Sequence, residues 1–217
     1  MYPTYMTFYG EAVRDAGEDY STTYITCAGS EVEVTPEGGR FPHFTMKEGS
    51  VAAVVGRFHL GPLDDQLGGS VKVFAITRIG YQGMLALSQV EEQGRLAYID
   101  GCSDTLIIPP PRCGDPCLNH LYFPTRIKQT QHLHPSIRMG IVLKGEGTAW
   151  QDTDLTGKGW EKPLIPGSMF CLEESEIHSF KTDESDLHII AYHPDTDTGP
   201  TDTDQPMLNR TYINHGK

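Results

Sequence analysis

Positive charge is scarce in this sequence. The 17 Lys and Arg residues are outnumbered by 29 Asp and Glu residues, which gives a formal net charge of -12 at pH 7. A strongly acidic chain is repelled by nucleic-acid phosphates and by anionic lipid headgroups. The composition therefore argues against a nucleic-acid partner and against binding to a membrane surface.

Long hydrophobic runs and paired cysteines are also lacking. No run approaches the length that spans a bilayer, and the first residues do not combine a basic segment with an apolar one. The cysteines are odd in number and scattered, unlike a secreted disulfide framework; they are Cys27, Cys102, Cys113, Cys117 and Cys171. We therefore expect a cytoplasmic protein with reduced thiols.

Helix-forming segments are rare as well. Only residues 8–16 could form a short helix, and Gly10 weakens it. The 23 Gly and 15 Pro residues separate many short β-branched or aromatic runs, a pattern that predicts an all-β protein with frequent turns. The predicted strands cover residues 23–28, 31–35, 51–58, 71–79, 84–90, 96–99, 105–108, 118–123, 148–151 and 187–192.

Two histidines lie two residues apart in the segment 131–145. On an extended chain the side chains of His132 and His134 point to the same face, so one divalent cation can contact both. A later segment, 166–180, contains His178, which a returning strand could bring alongside. Neutral imidazoles suit Fe, Mn, Ni, Cu or Zn, so the pattern predicts a three-histidine transition-metal site.

These two segments resemble the paired motifs of the cupin superfamily, whose members are small jelly-roll β-barrels. The residues that match the motif positions are His132, His134, 141–143 and Gly145 in the first motif, and Pro166, Gly167, His178 and Phe180 in the second. The resemblance covers about the C-terminal half of the chain. It implies a cupin-type double-stranded β-helix in which His132, His134 and His178 are the metal ligands.

The N-terminal half cannot repeat this site, because its only histidines are His43 and His59. We therefore divide the chain into a metal-binding cupin domain, residues 95–217, and a β-rich region, residues 1–94, that is either a degenerate second barrel or a set of covering strands. Met139, Ile141 and Leu143 form a wholly apolar strand face that the N-terminal half or a second subunit must bury. We expect a homodimer on this ground.

Arg138 occupies the position where the family has an acidic ligand. A guanidinium directed at a divalent ion from about 5 Å would be repelled by about 7 kcal/mol at an effective dielectric constant of about 20, so it is not a ligand. Arg138 either pairs with an acid such as Glu174 or Glu176, or binds a substrate carboxylate. In the second case the site resembles the three-histidine thiol and diketone dioxygenases among the cupins, which also lack the acidic ligand.

The leading functional hypothesis is a mononuclear iron enzyme that carries out a dioxygenase-type reaction on a small anionic organic substrate, with Mn, Ni or Zn as alternative ions. A redox-neutral lyase or isomerase and a non-catalytic ligand-binding cupin remain as alternatives. Tyr122 and Tyr192 are the candidate proton donors, and His188 and Trp150 are weaker pocket candidates.

Overall fold

The computed structural model describes residues 3–29, 31–39, 41–62 and 72–212. Within these ranges the regular secondary structure is almost entirely short antiparallel strands, so the predicted all-β fold is confirmed. Neither of the two four-residue helices, α1 (Thr153–Thr156) and α2 (Pro206–Asn209), has the length that a membrane span requires.

The N-terminal half forms two sheets, in the strand orders β1-β8-β3-β6-β9 and β2-β7-β4-β5. The strands are β1 (Thr4–Tyr9), β2 (Val13–Ala16), β3 (Ser21–Cys27), β4 (Val32–Pro36), β5 (Phe44–Met46), β6 (Ser50–Val55), β7 (Phe58–Pro62), β8 (Val73–Ile79) and β9 (Ala86–Gln89). Alternate residues of facing strands, such as Val34, Val54 and Phe58, are fully buried between the two sheets. This half therefore has a hydrophobic core of its own.

The predicted helix over residues 8–16 is wrong, because β1 and β2 lie there instead. All six residues of β1 pair with β8, and the ring of Phe8 packs 4.8 Å from that of Phe74. Sheet pairing and aromatic packing outweigh the weak local helix preference of this segment.

The C-terminal half forms two further sheets, in the orders β10-β11-β12-β18-β13-β16 and β15-β14-β17. Its strands are β10 (Leu96–Ala97), β11 (Ser103–Ile108), β12 (Cys117–Phe123), β13 (Arg138–Gly145), β14 (Gly147–Gln151), β15 (Trp160–Leu164), β16 (Met169–Leu172), β17 (Ser179–Lys181) and β18 (Leu187–His193). Phe123, Leu187 and Ile189 are completely buried between these sheets. The strands up to β9 and those from β10 onward thus fall in separate sheets, while the boundary at residue 94 stays a prediction.

The apolar outer face of β13 is covered by the N-terminal half. Met139 and Ile141 are buried in one cluster with Tyr24, Val51 and Ile76, which belong to β3, β6 and β8. Because a sheet of the same chain covers this face, it no longer argues for a second subunit. The homodimer stays a prediction without that support.

Candidate metal centre

The backbone holds two of the three predicted ligands opposite each other. His132 and His178 form an isolated antiparallel bridge, in which each N–H donates to the other residue's carbonyl oxygen at 3.0 and 2.9 Å. His134 follows two residues later, and one ring nitrogen from each of the three histidines lies within 4.8 Å of the others. The structure therefore brings the three predicted ligands together at one point.

Backbone hydrogen bonds fix the ring orientation of two of these histidines. The Nδ1 atom of His132 lies 2.9 Å from the carbonyl oxygen of Thr130, and that of His178 lies 2.8 Å from the carbonyl oxygen of Glu176. A carbonyl oxygen only accepts, so each Nδ1 carries the proton and each Nε2 keeps a free lone pair. Nε2 of His178 is buried and has no hydrogen-bond partner among the described residues. A bound metal ion would satisfy this atom, so the donor set fits a metal.

The electrostatic environment keeps two of the predicted ligands, His134 and His178, uncharged. Burial, followed by the charge of Arg138 and the neighbouring imidazoles, lowers the pKa of His134 to about 3. Burial lowers the pKa of His178 to about 4. Both rings are therefore neutral near pH 7, which is the form that binds a metal ion.

A small cavity of about 40 Å³ lies at the three histidines. We call it the inner cavity. Its other lining residues are Tyr98, Asp104, Leu121, Arg138, Phe170, Leu172, Phe180, Ala191 and His193. This volume holds an ion and a water molecule or two but no organic substrate, so a substrate must extend into a neighbouring cavity.

Arg138 lines the inner cavity and is only 9% exposed. Its Nη1 donates to the carbonyl oxygens of Ser136 and Ile137 and to the Ser136 hydroxyl, which in turn donates to Asp195 at 2.5 Å. The predicted partners Glu174 and Glu176 are therefore wrong. The side chain folds back over its own turn, toward the segment that follows β18. Its buried Nε has no partner among the described residues.

Tyr122 and Tyr192, the predicted proton donors, lie on the wrong faces of their strands. Ala191 and His193 line the inner cavity, so the residue between them points to the opposite side of the sheet. There the ring of Tyr192 lies 5.3 Å from that of Tyr24.

The same alternation of side chains places Tyr122 of β12 and His188 of β18 on the strand faces that do not line the inner cavity. Leu121 lines the inner cavity, whereas Tyr122 packs its ring 5.0 Å from that of His188. The Nδ1 atom of His188 lies 3.0 Å from the Nε2 atom of the buried His120. Trp150 is buried in β14 and is not among the residues that line the inner cavity.

Three residues of the site were missed by the sequence analysis. His193, whose pKa burial and Arg138 lower to about 3, lies with its ring 6.4 Å from that of His134. Asp104 accepts hydrogen bonds from the amide of Asn119 at 2.7 and 2.9 Å, and burial raises the pKa of its carboxyl. Tyr98 lies edge-on to His132 at 6.4 Å. No motif in the sequence marks His193, Asp104 or Tyr98.

Comparison with known proteins shows the fold. No family model and no curated protein matches the sequence. Among solved structures, protein Ylba from E. coli has a TM-score of 0.63 at 13% identity, covering 91% of this chain and 78% of that one. A cupin 2 conserved barrel domain protein from Leptotrichia buccalis has a TM-score of 0.57 at 14% identity, covering 87% and 80%.

A third similar structure is Bacillus subtilis oxalate decarboxylase, a protein with Mn(II) centres. Its TM-score is 0.60 at 8% identity, and the match covers 91% of this chain and 69% of that one. The chain therefore has the fold of the cupin superfamily. The chain thus combines a cupin-type fold with three histidines that form a candidate centre for a divalent metal ion.

Proposed function

We propose that the chain is a mononuclear metal-dependent cupin enzyme that acts on a small anionic organic substrate. The observation that carries the proposal is the group of three histidines whose ring nitrogens lie within 4.8 Å of one another, together with the buried and unpartnered Nε2 of His178. Burying such an acceptor without a partner costs about 1–3 kcal/mol, and metal ligation removes that cost.

The charges around the centre favour an anion. Three neutral ligands leave the double charge of the ion uncompensated, and the buried guanidinium of Arg138 adds a further positive charge at the cavity wall. The unpartnered Nε of Arg138 is a hydrogen-bond donor for a carboxylate oxygen. These groups would therefore bind and orient a substrate carboxylate or enolate.

The reaction we favour is a dioxygenase-type oxidation with iron. When bound, the ion would supply Lewis-acid polarisation of the substrate and, as iron, a site for dioxygen. The side chains of Leu121, Phe170, Leu172 and Phe180 would provide the apolar part of the wall of the inner cavity. Asp104, whose pKa is raised by burial, is the carboxyl group placed to hold or deliver a proton.

A redox-neutral lyase or isomerase reaction is the second candidate. Asp104 favours it, because proton delivery from a buried carboxyl needs no oxidant. The similar fold of oxalate decarboxylase, with its Mn(II) centres, supports the same reading. Oxygen consumption separates the two reactions, since the second would proceed without oxygen and with Mn or Zn.

Metal content tests the proposal. We expect about one equivalent of a transition metal in protein purified without a tag or added metal, and its loss in His132→Ala and His178→Ala. His193→Ala is the matched control, because His193 lines the same cavity but lies outside the group of three. Absence of metal, with no uptake of Fe, Mn, Ni or Zn, would contradict the proposal. If the protein binds metal but turns over no carboxylate, it is a ligand-binding protein and not an enzyme.

A further inference from the structure

Two larger cavities adjoin the inner cavity, and they differ in character. One, of about 630 Å³, shares only Phe170 and Leu172 with it. The other, of about 390 Å³, shares Asp104, His134, Arg138 and His193 with it. We call this second space the polar chamber. It contains a predicted metal ligand and the buried guanidinium in its wall, so a carboxylate in the polar chamber can reach both.

The polar chamber has the size and lining of a small-ligand site. Its volume falls in the range of about 300–1,000 Å³ that is usual for ligand pockets. Leu96, Leu106 and Pro135 provide an apolar part of the wall, and the segment 195–198 provides a polar part. An organic ligand would therefore find both apolar and charged surface there.

The segment 195–198 is held in place from outside. The N–H groups of Cys113 and Gly114 donate to the carbonyl oxygens of Pro200 and Thr196, each at 2.9 Å. Arg112 forms an ion pair with Asp202 at 2.9 Å. The acids of this segment are thus positioned before a ligand arrives.

Three carboxylates face this chamber: Asp104, Asp195 and Asp197. Asp104 is bonded to the Asn119 amide and Asp195 to the Ser136 hydroxyl, whereas no hydrogen bond joins Asp197 to another described residue. Because Asp104 is the group that holds a proton, Asp195 and Asp197 supply the negative charge of this wall, beside the positive charge of Arg138. The carboxylate of Asp197 therefore favours a ligand that carries a cationic group in addition to its carboxylate.

We infer that the polar chamber binds a small zwitterion whose carboxylate lies toward Arg138 and the metal and whose ammonium group lies against Asp197. The Nη1 atom of Arg138 already donates hydrogen bonds to Ser136 and Ile137, whereas its Nε has no partner among the described residues and would donate to the carboxylate of the ligand. The inference rests on the proposed function for the role of the metal, and it narrows the substrate class from an anion to a carboxylate with a cationic group.

The test is calorimetric titration of zinc-loaded and metal-free protein with glycine, β-alanine and γ-aminobutyrate, each paired with acetate, propionate or butyrate of the same chain length. We expect at least one zwitterion to bind about fivefold tighter than its paired carboxylate, as for a partly exposed ion pair. Asp197→Asn should abolish this preference and leave the affinity for the carboxylate unchanged.

Asp204→Asn is the matched control, since Asp204 is an exposed carboxylate a few residues beyond the segment 195–198, does not line the polar chamber, and accepts a hydrogen bond from Asn209. Its preference should equal that of the unmodified protein. Equal affinity for zwitterions and carboxylates, or a preference that survives Asp197→Asn, would overturn the inference. If zinc does not bind but the preference is present in metal-free protein, the inference stands and the proposed function fails.

Discussion

Gly140 allows the ring of Phe170 to lie directly on the backbone of β13. The two residues face each other across the β13–β16 pair. A Cβ atom at residue 140 would come within 2.8 Å of two ring carbons of Phe170 and closer still to a third. Ordinary contact begins near 3.4 Å, so Gly140→Ala must displace the ring by more than about 0.6 Å, because the nearest ring carbon is closer than 2.8 Å.

The expected loss of stability follows from two opposed effects. Overpacking a buried contact of this kind costs about 1–3 kcal/mol. Gly140 is not in the left-handed region, so alanine fits its backbone and gains about 0.4–1 kcal/mol by restricting the unfolded chain. We therefore expect Gly140→Ala to lower the free energy of unfolding by about 1–2 kcal/mol.

Urea denaturation measures this difference. Gly61→Ala is the matched control, because Gly61 also lies in a strand, also avoids the left-handed region, and has nothing within 4 Å of the position a Cβ would take. Replacing Phe170 by Leu should reduce the cost of Gly140→Ala, giving a coupling of about 0.5 kcal/mol or more. Equal unfolding free energies for Gly140→Ala and Gly61→Ala would refute the steric explanation.

Three further substitutions or reactions test other parts of the structure. Burial, and then His188, lowers the pKa of His120 to about 4. Between about pH 6.5 and pH 4 the unfolded chain therefore binds one proton more than the folded chain, so the free energy of unfolding falls by up to about 1.4 kcal/mol for each pH unit of acidification. His120→Leu should make the loss of stability between pH 7 and pH 5 shallower in urea titrations, and an unchanged slope would contradict this. Tyr192→Phe removes the hydroxyl that accepts a hydrogen bond from Arg78 of β8 at 3.3 Å. The substitution should lower the free energy of unfolding by about 0.5–1.5 kcal/mol and leave the metal content unchanged. A loss of metal would instead show that Tyr192 belongs to the site. A thiol reagent should modify exposed Cys171 in the folded protein but not Cys117, because Cys117 is 1% exposed and burial raises its pKa to about 12. Mass spectrometry locates the modified residue, and early modification of Cys117 would contradict this prediction.

The grouping of the three histidines was predictable from the spacing of residues in two short segments. His132 and His134 are joined by a spacing of two, and His178 occurs at a fixed distance after a Pro-Gly turn. The partner of Arg138 was not predictable in this way. The guanidinium of Arg138 donates to the Ser136 hydroxyl, which in turn donates to Asp195, a residue 59 positions further along the chain than Ser136. Only the packing of the segment after β18 brings that carboxylate to the site.

The orientation of β18 was hidden from the sequence for a different reason. Both of its faces are buried, one in the C-terminal core and the other against the N-terminal sheet. A strand with two apolar faces shows no polar alternation, so nothing distinguishes the side of Tyr192 from the side of His193. The tyrosine was therefore assigned to the cavity that the histidine actually lines.

The burial of Met139 and Ile141 beneath the N-terminal sheet has a consequence for the cooperativity of unfolding. The two halves share one hydrophobic cluster across the outer face of β13, so neither can open without exposing apolar surface of the other. A truncated C-terminal barrel would carry that surface into solvent and aggregate. The candidate metal centre thus depends on a half of the chain that contributes none of its three histidines, and a ligand bound at these histidines would protect the whole protein against denaturation.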